Sequence, residues 1–125
     1  MTVVYDAGAL IAADRSDREA WADHLARLEL GVVPATTAPV VAQVSRSPRQ
    51  AQLRRFLRGC AIVGFPDDDA HEVGALARKA GASDVVDVHV VLVASRRRFG
   101  VVTSDRDDLG PIATAAGVPV PIYDV

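Results

Sequence analysis

Five short runs rich in β-branched residues alternate with segments of helical spacing, and this alternation constrains the fold more than any other feature of the chain. The runs are Val3-Val4-Tyr5, Val32-Val33-Pro34-Ala35, Ala61-Ile62-Val63-Gly64, Gly100-Val101-Val102-Thr103 and Val118-Pro119-Val120-Pro121-Ile122. A strand that leads through a helix to the next strand of the same sheet returns by a right-handed crossover. The pattern therefore predicts a parallel sheet covered by helices on both faces. Pro119 and Pro121 cannot donate to a ladder, so the fifth run is predicted at a sheet edge.

The intervening segments carry helix start and stop chemistry. Two are short, Gly8 to Ala13 and Pro39 to Val44. Asp17 to Leu30 has Trp21, Leu25 and Leu28 at three- and four-residue spacing, which predicts an inward stripe, and Gly31 ends it. Ser47-Pro48 reads as the cap and first turn of a helix through Arg58, closed by Gly59. Asp67 to Ala80 opens with acids and closes with Arg78 and Lys79, which suits the helix dipole, and Gly81 follows. Ser83 is predicted to cap a helix to about Arg98. Asp105 to Ala116 is the last helix, before Gly117.

A length of 125 residues fits one domain, here residues 1–125, with room for a real core. Only 5% of residues are aromatic while 50% are hydrophobic, so Val, Ala and Leu must do most of the packing. That apolar content with a net charge of −2 argues against disorder. The single cysteine, Cys60, cannot form an internal disulfide; it reads as a core residue in a reducing cytoplasm. No run approaches the ~20 apolar residues of a membrane span. The opening Met1 to Asp6 lacks the basic and apolar regions of a signal peptide.

The small net charge hides an uneven distribution. From Leu30 to Pro66 there is no acid, and that stretch carries Arg46, Arg49, Arg54, Arg55 and Arg58. They form either a solvated helix face or a surface for RNA phosphates or an acidic partner, with Arg46, Arg49 and Arg54 the candidate contacts.

Two strand runs end alike: Val3-Val4-Tyr5 leads into Asp6, and Val101-Val102-Thr103-Ser104 into Asp105. If the first and fourth strands are neighbours, both carboxylates meet at one sheet edge, where ligands of open α/β sheets bind. Asp84 and Asp87 are three residues apart and share the first turn of a helix whose next turns are Val-rich and therefore buried. Such a gathering of carboxylates is costly unless a cation joins it or some groups are protonated. Oxygen-only donors favour a hard cation, Mg²⁺ or Mn²⁺, which could bind and activate a phosphodiester. Asp84 and Asp105 each also have a plainer role as helix-start residues, whereas Asp6 follows an apolar strand and precedes the small residues Ala7, Gly8 and Ala9, so little competes with it for the pocket.

Val4-Tyr5-Asp6-Ala7-Gly8-Ala9-Leu10-Ile11 resembles the opening of PIN domains. Ser83-Asp84-Val85-Val86-Asp87-Val88-His89-Val90 resembles their acidic helix start, and Val102-Thr103-Ser104-Asp105-Arg106-Asp107-Asp108-Leu109 their last acidic position. Order and length resemble the VapC-like toxins of type II toxin–antitoxin systems, over nearly the whole chain. The resemblance implies a three-layer α/β/α fold with a five-stranded parallel sheet in the order 3-2-1-4-5. It also implies Mg²⁺-dependent cleavage of RNA, a homodimer and a cognate antitoxin. The implied ligands are Asp6, Asp84, Asp87 and Asp105, with Gln43, Ser104 and Asp108 as residues that could support them. The family usually has a Glu where this chain has Gln43. Gln keeps an oxygen but cannot act as a base, which opens a second reading: a PIN-like module that binds RNA or protein with weak or no nuclease activity.

The remaining polar residues carry weaker signals. His24 and His71 are predicted on the surface and His89 in packing or beside the site, since no two histidines have metal-ligand spacing. Thr103 and Ser104 could serve a phosphate or cap the last helix. Arg96, Arg97 and Arg98 suit a helix C-terminus. A receiver-like signalling domain also gathers acids at strand ends, but it needs a Lys on a late strand, and the only Lys is Lys79, on a predicted helix.

Overall fold

A computed structural model describes residues 2–125. The elements are β1 (Val3–Tyr5), α1 (Ala7–Asp14), α2 (Arg18–Glu29), β2 (Ala35–Thr37), α3 (Ala38–Val44), α4 (Ala51–Leu57), β3 (Ala61–Val63), α5 (Asp69–Ala80), α6 (Val85–Arg97), β4 (Gly100–Thr103), α7 (Arg106–Ala115) and β5 (Ile122–Asp124). All strand pairs are parallel and the order is β3-β2-β1-β4-β5, as expected. Helices α1 to α4 pack together as one layer and α5 to α7 as the other, giving three layers. The strand order reverses between β1 and β4, which run in register from Val3 opposite Gly100 to Tyr5 opposite Val102.

The core is aliphatic, as the composition requires. β1, β4 and the middle of α6 (Val88 to Ala94) are buried almost completely. α6 is apolar all round because it lies between the sheet and helices α5 and α7. Among the described residues no helix is long and apolar enough to cross a membrane.

Several boundaries differ from the sequence expectation. β2 occupies Ala35–Thr37 rather than Val32 to Ala35. Side-chain bonding decides this: the buried Thr36 hydroxyl donates to the Tyr5 carbonyl at 2.9 Å, and the Thr37 hydroxyl accepts from Val40 N–H at 3.2 Å to cap α3. Val33 is left exposed. β5 begins at Ile122 rather than Val118, because the ladder forms only beyond the last proline of the run. It is an edge strand, as expected. Ser47-Pro48 does not open α4. The Gln50 side chain accepts from the Arg46 and Ser47 N–H groups and donates to Val44 O and Asp14 Oδ2, so residues 45–50 form a closed turn and the helix starts at Ala51. Ser83 is not a cap; Asp84 is.

His24 is buried, not on the surface. It stacks on Phe56 at 3.8 Å between ring centroids, and its Nδ1 lies 2.9 Å from the Tyr5 hydroxyl. Arg27 donates to the same hydroxyl at 3.0 Å. Leu25, expected in the inward stripe of α2, is 50% exposed instead. The inward face therefore runs through Trp21, His24 and Leu28. His71 is exposed as expected, and His89 is fully buried against Phe65. Cys60 is only half-buried, and burial pushes its thiol up to about 12.

Candidate functional site

Three helices begin at the sheet edge where β1 and β4 end, and each begins on an aspartate. Asp6 caps α1, its Oδ1 accepting from Ala9 N–H at 3.0 Å. Asp84 caps α6, accepting from Val86 and Asp87 N–H. Asp105 caps α7, accepting from Asp108 N–H at 3.3 Å. Asp105 is thus the cap that its plainer role requires, and Asp84 serves its helix start as the cap itself; neither role competes with assembly into one site. The positive ends of three helix dipoles converge with the carboxylates and offset part of their repulsion.

Thr103 ties two of the caps together. Its hydroxyl donates to Asp6 Oδ2 and accepts from Asp105 N–H at 2.8 Å. Asp6 N–H in turn donates to Val102 O at 3.1 Å. The Asp6 carboxyl is buried, and desolvation raises its pKa against the opposing pull of the Thr103 and Ala9 bonds.

Asp87 is the exception in the group. It caps nothing, and its carboxyl finds no hydrogen-bond donor among the described residues. Desolvation comes first, and then repulsion from Asp84, Asp6, Asp108 and Asp105, in pushing its pKa up to about 6. The four sequence-predicted acids therefore share one electrostatic field. Asp108, predicted to support the ligands, joins them: its carboxyl is raised chiefly by its contact with Asp105.

The other predicted residues fall outside the cluster. Gln43 is exposed on α3 and, among the described residues, bonds none of the aspartates. Ser104 is exposed, and its side chain covers Gly8, where a Cβ would come within 2.9 Å of Ser104 Cβ and 3.1 Å of its N. Arg46, Arg49 and Arg54 are exposed and form no ion pair among the described residues, as a free cationic face requires. Arg96 does more than end a helix: it binds Asp69 at 2.8 Å and also Glu72. The bridging role of Thr103 and the hub at Gln50 were not foreseeable, because both depend on contacts between distant elements. The only signal for Thr103 was its place beside Asp105.

An open cleft of about 290 Å³ adjoins the cluster, lined by residues 80–84, Asp87 and the α7 residues Asp107, Asp108, Pro111 and Ile112. The donor chemistry suits a hard cation: all oxygens, with the Asp87 carboxyl and one oxygen of Asp84 unengaged among the described residues. As placed, no three His, Cys, Asp or Glu side chains among the described residues converge on one point. Rotation of the accessible Asp84, Asp87 and Asp105 side chains would be needed to close a shared coordination shell.

A three-layer α/β/α protein with acids at the β1/β4 switch point is the class that fold and site define. The chain matches no protein-family model and no curated protein. Among solved structures it is similar to VapBC2 from Rickettsia felis bound to a DNA fragment from their promoter, with a TM-score of 0.72 at 17% identity over 100% of this chain and 99% of that one. It is also similar to PAE2754 from Pyrobaculum aerophilum, with a TM-score of 0.64 at 19% identity over 94% of this chain and 100% of that one. The fold is therefore the PIN-like fold of VapC, as the resemblance implied.

Proposed function

We propose that this protein is a Mg²⁺-dependent endoribonuclease, the toxin of a toxin–antitoxin pair. The observation that carries the reading is Asp87, a carboxyl without a donor among the described residues, raised to about 6 by its burial and four acidic neighbours. A group in that state gains from a divalent cation more than from any side chain nearby. Asp6, Asp87 and Asp105 would hold the ion, with Asp84 as a further ligand; Mn²⁺ could replace it. Bound there, the ion would supply Lewis-acid activation of a phosphodiester and of the attacking water.

The chain's own residues do the rest. Thr103 opposes the rise that burial imposes on the Asp6 pKa and links Asp6 to the Asp105 backbone, so two of the acids are held in fixed relation. Arg46, Arg49 and Arg54 offer unpaired charge for RNA phosphates or for the partner. The fold of a VapBC complex supports an antitoxin as that partner. A cytoplasmic homodimer is part of the same reading.

Purified chain is expected to cleave single-stranded RNA with Mg²⁺ and not with EDTA. Asp6→Asn should lower the rate by more than the roughly 10- to 100-fold seen for residues behind a metal ligand. Cleavage that survives this substitution overturns the reading. The second reading, a non-cleaving PIN-like binding module, is favoured by the exposed Gln43 and by the open spacing of the acids. RNA binding without Mg²⁺-dependent cleavage would establish it.

A further inference from the structure

Ser104 lies at the rim of the acid cluster, between the two strand ends that carry Asp6 and Asp105. Its chain neighbours are pinned on both sides: Thr103 is bonded to Asp6, and Asp105 to Thr103 and to the start of α7. The Ser104 side chain lies over Gly8, and its Oγ stands where a side chain at position 8 would have to go. Glycine at that position is what gives the hydroxyl its room. The hydroxyl is on an exposed residue and makes no hydrogen bond among the described residues. Ionised aspartates accept and cannot donate, and the Thr103 proton is already given to Asp6. At the ends of β1 and β4, Ser104 therefore holds the hydroxyl proton still open to a ligand.

We propose that the Ser104 hydroxyl donates to a non-bridging oxygen of the RNA phosphodiester and so positions it at the acid cluster; the inference rests on the ribonuclease reading for its substrate. A phosphodiester has two non-bridging oxygens, and both are acceptors. A cation held by the acids would take one. The other would face carboxylates, at a cost in charge repulsion, unless a donor meets it. Arg106, the cation nearest in sequence, is turned away to the Asp124 carboxylate and the Ile122 carbonyl. A hydroxyl bonded to a charged oxygen makes roughly twice as strong a contact as one between neutral groups. Pinned by Thr103 and Asp105, this donor is in place before the substrate arrives and has little reorganisation to undergo. Gly8 completes the arrangement, because any side chain there would displace the hydroxyl.

The test separates phosphate binding from cation binding. Fluorescence anisotropy of the full chain with a labelled single-stranded oligouridylate reads the first, with Ca²⁺ in place of Mg²⁺ so that the RNA stays intact. Calorimetric titration with Ca²⁺ alone reads the second. Ser104→Ala should weaken RNA binding about tenfold, the loss of one hydrogen bond to a charged group, and leave Ca²⁺ affinity within about twofold. In Mg²⁺ the same variant should cleave more slowly by at least that factor. RNA affinity that is absent, or equal in wild type and variant, overturns the proposal. So does a loss of Ca²⁺ affinity as large as the loss of RNA affinity, since Ser104 would then only support the acids. RNA affinity that depends on Ser104 without any Mg²⁺-dependent cleavage would leave the phosphate contact standing and remove the nuclease reading. Mg²⁺-dependent cleavage that Ser104→Ala leaves unchanged would do the reverse.

Discussion

The Thr103 hydroxyl, at the end of β4, donates to the buried carboxylate of Asp6, at the end of β1, and so joins the two strand ends that define the site. The same oxygen accepts from the Asp105 amide. Thr103→Val keeps the shape and removes both bonds, leaving a buried charge short of a donor. A loss of about 1–3 kcal/mol in urea denaturation is expected, together with a further rise in the Asp6 pKa. An unchanged midpoint would mean the bridge contributes nothing.

The raised pKa of Asp87 predicts an unusual pH dependence for the cation-free protein. The folded-state value is about 6 against an ordinary aspartate value of 3.8, so between these limits the native state binds the proton more tightly than the unfolded chain. Asp87's contribution to stability is therefore fully present below about 4 and is lost as pH rises through 6. Asp87→Asn should flatten this limb and raise stability at pH 7.5 by about 1–2 kcal/mol, after allowance for solvent screening. Mg²⁺ should stabilise the wild type at that pH and the variant much less, which a thermal melt reads directly.

Gly8 lies in α1 against the backbone of Ser104. Helix propensity favours Gly8→Ala by about 1 kcal/mol, but the new Cβ would meet Ser104 Cβ and N at 2.9 and 3.1 Å. Neither atom can swing away, so overpacking should win and the variant should be less stable by about 1 kcal/mol or more. The strain would fall on the link between Asp6 and Asp105, so divalent-cation affinity should fall too. A stabilised variant would sink this argument.

Gln50 satisfies four groups at once, including the Asp14 carboxylate at the end of α1. Gln50→Ala should cost about 2 kcal/mol, as the loss of a polar hub does. Gln50→Glu should not restore it, since the donors to Val44 O and Asp14 are lost and a like charge is added. Paired urea titrations decide between them.

Arg49 and Arg54 are exposed and unpaired among the described residues. If they grip single-stranded RNA, each Arg→Ala change should reduce the slope of log K against log salt by about 0.7. An unchanged slope would assign the arginines to the partner or to solvent.

The sequence alone determined the parallel α/β class, the strand order through its resemblance, and the presence of aspartates where β1 and β4 end and where α6 begins. Those are local properties: β-branched runs, and aspartates at the first turn of helices, where capping selects them whatever the rest of the chain does. Tertiary structure decided what depends on partners far along the chain. It moved β2 onto Thr36 and Thr37, whose hydroxyls bond β1 and α3, and it turned α2 so that His24 rather than Leu25 faces Tyr5 and Phe56. It also set the chemistry of the acids apart. Asp6, Asp84 and Asp105 look alike in sequence to Asp87, yet each caps a helix, while Asp87 is left with four acidic neighbours and no donor among the described residues. Charge repulsion acts through space, so only the meeting of β1, α6 and β4 could make that one carboxyl the site's unmet charge.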